Sequence, residues 1–149
     1  MPPSEILPGV YVGDQITAQS SSFFEIAKIH TVINCTQTIP FYFEARGARY
    51  FRVPVNDTNS PEDNVVMAAA LPQVLEIVRQ MQPSRDRGLL VHCAAGVSRS
   101  CTVAAAIVRD CCAESIPQAV SMVVSRRPIA FFSGRWLNFY HALKTVFKV

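Results

Sequence analysis

The chain has 149 residues, 50% hydrophobic and 17% charged, a composition that suits one ordinary domain with a sizeable buried core. Its net charge of +3 and pI near 8.7 come without the basic run or stripe of a nucleic-acid binder. The five cysteines are odd in number, two of them adjacent (Cys111, Cys112), and none has C-x-x-C spacing, which speaks against a disulfide framework or a zinc site. No signal peptide opens the chain, no apolar run reaches membrane-spanning length, and neither end carries a lipidation motif. The expectation is a cytoplasmic protein, passage to the nucleus left open, with no membrane or nucleic-acid partner.

In chain order, Val10–Val12 reads as a short strand entered after Pro8-Gly9. Ser20–Ser22 offer caps for a helix carrying Phe23, Phe24, Ile26 and Ala27. Thr31–Cys35 is β-branched and continuous, hence a buried strand, and Arg49–Val55 alternates as another. Asn56–Pro61 is a dense turn cluster at the end of that strand. From Met67 to Met81 apolar residues recur at helical spacing, with Pro72 inside the pattern as a kink or a start, and Asp63 as the expected N-cap. Leu89–Val91 reads as a buried strand, and Thr102–Cys112 as a helix apolar nearly all round. Ser115 caps a helix with Ile116, Ala119, Val120 and Val123 inward. Ser133 caps a last helix with Trp136, Phe139, Tyr140, Leu143 and Phe147 on one face. Arg126, Arg127 and Arg135 read as a solvated face or the border of an acidic substrate. Alternating strands and helices predict a single α/β domain: a central, mostly parallel sheet flanked by helices on both faces. Ligands of such sheets bind at the carboxyl ends of the strands, where Asp57 and Cys93 fall.

The stretch from Leu89 to Cys101, L-L-V-H-C-A-A-G-V-S-R-S-C, joins a strand to a helix through a tight loop of small residues. Such a loop aims backbone N–H groups at one point and forms an anion site. Cys93 opens the loop, where the helix N-terminus and Arg99 favour its thiolate.

The run His92–Ser100, H-C-A-A-G-V-S-R-S, resembles the H-C-x-x-G-x-x-R-S signature of cysteine-dependent protein phosphatases, in the form of the small, atypical dual-specificity subfamily. Ile6–Asp14 and Thr31–Thr36 resemble that subfamily's first two strands, and Val53–Thr58 its acid loop. The resemblance implies a protein tyrosine phosphatase-like fold and a catalytic domain over residues 1–149. Cys93 is then the nucleophile that forms a phosphocysteine intermediate. Arg99 holds the equatorial phosphoryl oxygens, and the backbone of Ala94, Ala95, Gly96, Val97, Ser98 and Arg99 completes the phosphate cradle. Ser100 donates to the departing Cys93 sulfur, His92 orders the loop, and Asp57 is the general acid, with Asp63 as runner-up. No cofactor or metal is implied, and oligomeric state is left open.

Phosphoinositide-type relatives place basic residues between Cys93 and Arg99, and this chain has none there, so the resemblance implies a phosphoprotein substrate. The lack of the insertions that deepen the pocket of tyrosine-only relatives implies phosphoserine and phosphothreonine beside phosphotyrosine. The alternatives are a phosphoinositide, RNA 5′-triphosphate or sugar phosphatase, a sulfurtransferase-like domain, and a non-catalytic phosphoprotein-binding module. Two details depart from the family or extend it. Phe132 and Ser133 stand where relatives have a Pro-Asn element, so loop support falls to Ser133 or Asn138. Cys35 stands where some relatives carry a cysteine that pairs with the nucleophile on oxidation, while the other cysteines read as ordinary core residues.

Overall fold

The computed structural model describes residues 2–58, 60–131 and 139–149. Pro8 and Gly9 turn the chain between two short antiparallel strands, β1 (Ser4–Leu7) and β2 (Val10–Gly13). Gly9 has φ +78°, and a Cβ there would sit 2.1 Å from the Ser84 carbonyl oxygen, so only glycine fits. The strand β1 was not expected from the sequence, because its Ser4-Glu5 start carries no apolar alternation. Three further strands, β3 (Ile29–Asn34), β4 (Arg49–Arg52) and β5 (Gly88–His92), complete a sheet of order β1-β2-β5-β3-β4. All neighbours except β1 and β2 run parallel.

Strand alternation sorts the core onto two faces. Val10, Val12, Ile33, Leu89 and Val91 face a layer made by α2 (Pro61–Met81), α3 (Arg99–Cys111), α4 (Ile116–Arg126) and α5 (Tyr140–Phe147). Val32 and Leu90 face the other side, under Phe24 of the short helix α1 (Ser21–Ile26) and the ring of Phe43. This is a single α/β domain with a mostly parallel sheet between helices.

The helix starts follow capping chemistry more closely than apolar periodicity. Ser20 and Ser115 accept from Phe23 N and Gln118 N, as expected. By contrast α2 begins at Pro61, before the apolar pattern does, because Ser60 accepts the Asp63 amide at 3.2 Å. Asp63 is therefore not the cap. The helix runs on through Pro72, which lies on its exposed side where water can reach the carbonyl that loses its donor. The helix α3 begins at Arg99, inside the loop itself. For α5, the Asn64 Oδ1 on α2 accepts the Ala142 amide at 3.1 Å, so a neighbouring helix supplies the cap. Phe139 and Leu143 are buried beneath it. The expected roles of Phe132, Ser133, Arg135, Trp136 and Asn138 lie outside the described residues.

Candidate active site

The loop between β5 and α3 lies at the carboxyl end of the central strand, its start fixed by pairing on both sides. Gly13 and Asn34 each stand opposite His92 in the flanking strands. Cys93 follows, 2% exposed, with its Sγ 3.2 Å from Ser100 Oγ and accepting the Gly96 amide at 3.3 Å.

Where the loop's carbonyls go explains where its amides point. Ala94 O accepts from Gln15 N at 3.0 Å, and Gly96 O from Arg127 Nε at 2.7 Å. Val97 O accepts from Phe131 N at 2.8 Å, and Ser98 O from the amide and hydroxyl of Thr102, each at 2.9 Å. A carbonyl and the next N–H lie on opposite sides of a planar trans peptide. With these four carbonyls bonded to the surrounding body, the amides of Ala95, Val97, Ser98 and Arg99 turn to the enclosed side. Gly96 makes the reversal possible at φ +67°, and a Cβ there would come within 2.6 Å of Arg127 Nη2. The first turn of α3 adds its positive end to the same spot.

Arg99 is half-buried and bridges two loops. Its Nη1 donates to Val55 O at 3.1 Å, while its Nε is enclosed with no acceptor among the described residues. The enclosed Ser98 Oγ is in the same state. Buried donors of this kind ask for an acceptor, and beside a ring of amides the fitting one is an anion.

Asp57 lies two residues beyond Val55, half-buried, in the loop that Arg99 holds. The runner-up, Asp63, is 7% exposed and occupied on both oxygens: Oδ1 accepts the Asn56 amide at 3.2 Å, and Oδ2 accepts the Thr58 hydroxyl. It ties the Asn56–Thr58 turn to the start of α2. The structure thus brings Cys93, Ser100, Arg99 and the Asp57 loop together and gives Asp63 a scaffolding place.

His92 is fully buried, with Nδ1 3.4 Å from the Cys93 carbonyl oxygen. Burial above all, with Arg52 and Arg99 adding to it, pushes its imidazole down to about 4, so it is neutral at pH 7. Its backbone carbonyl accepts the Cys35 amide at 2.8 Å, which sets Cys35, just past the end of β3, beside Cys93, just past the end of β5. Burial, together with the neighbouring Cys93, pushes the Cys35 thiol well above its ordinary range. Burial also pushes the Cys101 thiol up to about 12, and that thiol donates to Gly96 O at 3.5 Å.

Arg127 is no part of a solvated cluster: it is fully buried behind the loop. Besides Gly96 O, it donates through Nη1 to Pro2 O at 2.9 Å, Ser4 Oγ at 3.0 Å and Val12 O at 3.4 Å. Support for the loop therefore comes from Arg127, with the Phe131 amide beside it. The only sequence signal is that Arg127 precedes Pro128 at the end of an amphipathic helix.

The chain is similar to known proteins over most of its length. The family model described as "Dual specificity phosphatase, catalytic domain" matches residues 10–144. Human dual specificity protein phosphatase 9 is 31% identical over 95% of this chain and 37% of its own length. Drosophila melanogaster dual specificity protein phosphatase Mpk3 is 31% identical over 85% of this chain and 30% of its own. The chain thus spans about a third of the length of these curated relatives. Among solved structures, human DUSP28 superposes with TM-score 0.77 at 23% identity, over 98% of this chain and 95% of that one. The Yvh1 phosphatase domain of Chaetomium thermophilum superposes with TM-score 0.78 at 19% identity, over 99% and 96%.

Proposed function

The chain belongs to the dual specificity phosphatase family, and from that premise we propose that it hydrolyses phosphotyrosine and phosphoserine or phosphothreonine in proteins through a phosphocysteine intermediate. The observation that carries this reading is the Cys93 sulfur beneath a loop whose carbonyls are turned outward, with the enclosed Arg99 Nε beside it.

Cys93 attacks phosphorus as the thiolate, stabilised by the loop amides, the α3 N-terminus and Arg99. Arg99 offers the phosphoryl oxygens the edge of its guanidinium that Val55 does not occupy. Asp57 gives its proton to the departing alkoxide or phenolate, so the P–O bond breaks as the S–P bond forms. The resulting carboxylate then takes a proton from water as that water attacks phosphorus. Ser100 donates to Cys93 Sγ, stabilising the thiolate that leaves with inorganic phosphate. The cradle places no cation between Cys93 and Arg99, which supports phosphoprotein over phosphoinositide as substrate.

Cys35 adds a redox reading. Peroxide oxidises the Cys93 thiolate to the sulfenic acid. The Cys35 sulfur then displaces hydroxide, which leaves as water with the Cys35 proton, and a disulfide remains.

Hydrolysis of an aryl phosphate tests the central claim. Cys93→Ser is expected to abolish turnover, and Asp57→Ala to lower kcat by about 10²–10⁴-fold. Turnover surviving Cys93→Ser would overturn the mechanism, and an effect of Asp63→Ala alone would move the acid.

A further inference from the structure

A second cationic site lies at the opposite pole of the sheet. His30 and Thr31 lie in the first half of β3, Arg49 begins β4, and Arg87 precedes β5, and these residues line one cavity of about 360 Å³ against the end of α2. At about 3.3 Å per residue, roughly 16 Å of strand separate Gly88 from Cys93. No phosphoryl group held by Cys93 reaches this cavity.

The charges here are not neutralised. Arg79 and Arg85 are paired with Asp110 and Glu5, whereas Arg49 and Arg87 make no ion pair among the described residues. Arg87 Nε donates to Met81 O at 3.1 Å, which fixes the guanidinium at the cavity wall. His30 Nδ1 lies 2.7 Å from Thr31 Oγ1, and burial followed by the charges of Arg87 and Arg49 pushes its imidazole below its ordinary value. Two cations thus act on one half-buried ring without a counter-charge.

The shape is longer than a single ion. His30 and Arg87 also line an adjoining hollow of about 610 Å³, where Phe24, Ile29 and Phe43 bring apolar surface. The carboxylates on that hollow are Glu25, and Asp86 paired with Lys28 at 3.0 Å. Cations set beside apolar side chains along an open groove match an extended peptide that alternates carboxylates with apolar residues.

We propose that this groove docks an acidic, unphosphorylated segment of the protein substrate, away from the phosphorylated residue. The proposal rests on the phosphoprotein reading above and names how such a substrate is chosen. Docking at the far pole adds affinity through a second, tethered contact and leaves the chemistry at Cys93 unchanged.

Fluorescence anisotropy with a short labelled peptide alternating glutamate and leucine tests it. Saturable binding is expected, weakened about fivefold or more by Arg49→Glu and by Arg87→Gln, with no binding of a lysine–leucine counterpart. Aryl phosphate turnover should be unchanged in both variants, which also shows them folded. Absence of saturable binding, or binding that both variants retain, overturns the proposal. So does displacement of the peptide by equimolar inorganic phosphate, which would make this a free-anion site, or loss of binding in Arg99→Ala alone, which would place the peptide at the catalytic loop. A parent protein that binds the peptide but does not turn over aryl phosphate sinks the phosphatase reading and leaves the groove standing.

Discussion

Gly96 shows how much one missing Cβ can decide. At φ +67° an alanine costs about 1–2 kcal/mol of backbone strain before any contact is counted. Its methyl would also meet Arg127 Nη2 and the Gly13 carbonyl oxygen, 2.6 and 2.9 Å away. Gly96→Ala is therefore expected to lower kcat on an aryl phosphate by at least about tenfold, because the loop amides lose their aim. Parent-like kcat would mean that the loop does not need this backbone state.

His92 makes a different kind of prediction. Its imidazole titrates near 4 in the folded protein, against 6.5 when exposed, so the unfolded chain takes up the proton first as pH falls. The stability it protects is complete above about pH 6.5 and drains away down to about pH 4, a loss of about 3 kcal/mol. Urea midpoints measured from pH 7 to pH 4 should fall in the parent and flatten across that window in His92→Asn. The same slope in both proteins would place the titration elsewhere.

Among elements, the parallel pairing of β3 with β5 is what sets Cys35 next to Cys93, the proposed nucleophile. Peroxide treatment followed by non-reducing peptide mapping is expected to show a Cys35–Cys93 species. In Cys35→Ser, activity should return less fully on adding dithiothreitol, since Cys93 is then open to further oxidation. Equal recovery in both proteins would refute protection by Cys35.

This level also shows what the sequence could reveal. The central strand, the loop and the helix after it are contiguous, so their chemistry is legible in thirteen residues. Capping was harder to place. Periodicity starts at Met67, but the polar turn Glu62–Asn64 hides six helical residues, and the cap moved from Asp63 to Ser60. Arg127 was opaque because its acceptors sit at Pro2, Ser4, Val12 and Gly96, far away in sequence. A charged pair before a proline looks the same whether it is solvated or sealed in. Burial of a charge depends on distant oxygens that no local pattern reports.

Over the whole molecule, Arg127 links the start of the chain, more than a hundred residues away, to the Cys93–Arg99 loop. Its charge is compensated by oxygens of β1, β2 and the loop, so the three should fail together. Arg127→Met is expected to destabilise the fold by about 2–4 kcal/mol and to lower kcat with it. Ser4→Ala, which removes one acceptor, should cost about 1 kcal/mol and leave kcat near the parent value. Denaturant melts of the two variants check the ratio, and a Ser4→Ala loss as large as that of Arg127→Met would contradict it.

The bond from Arg99 Nη1 to Val55 O has a consequence for timing. One tine of the guanidinium fork is already committed to the loop after β4 that leads to Asp57, and the other edge is free for the proposed phosphoryl group. The loop that carries Asp57 is thus tied to the start of α3 by a bond that needs no substrate. For the proposed hydrolysis, the acid's loop and the phosphate cradle then share a contact already present in the free protein.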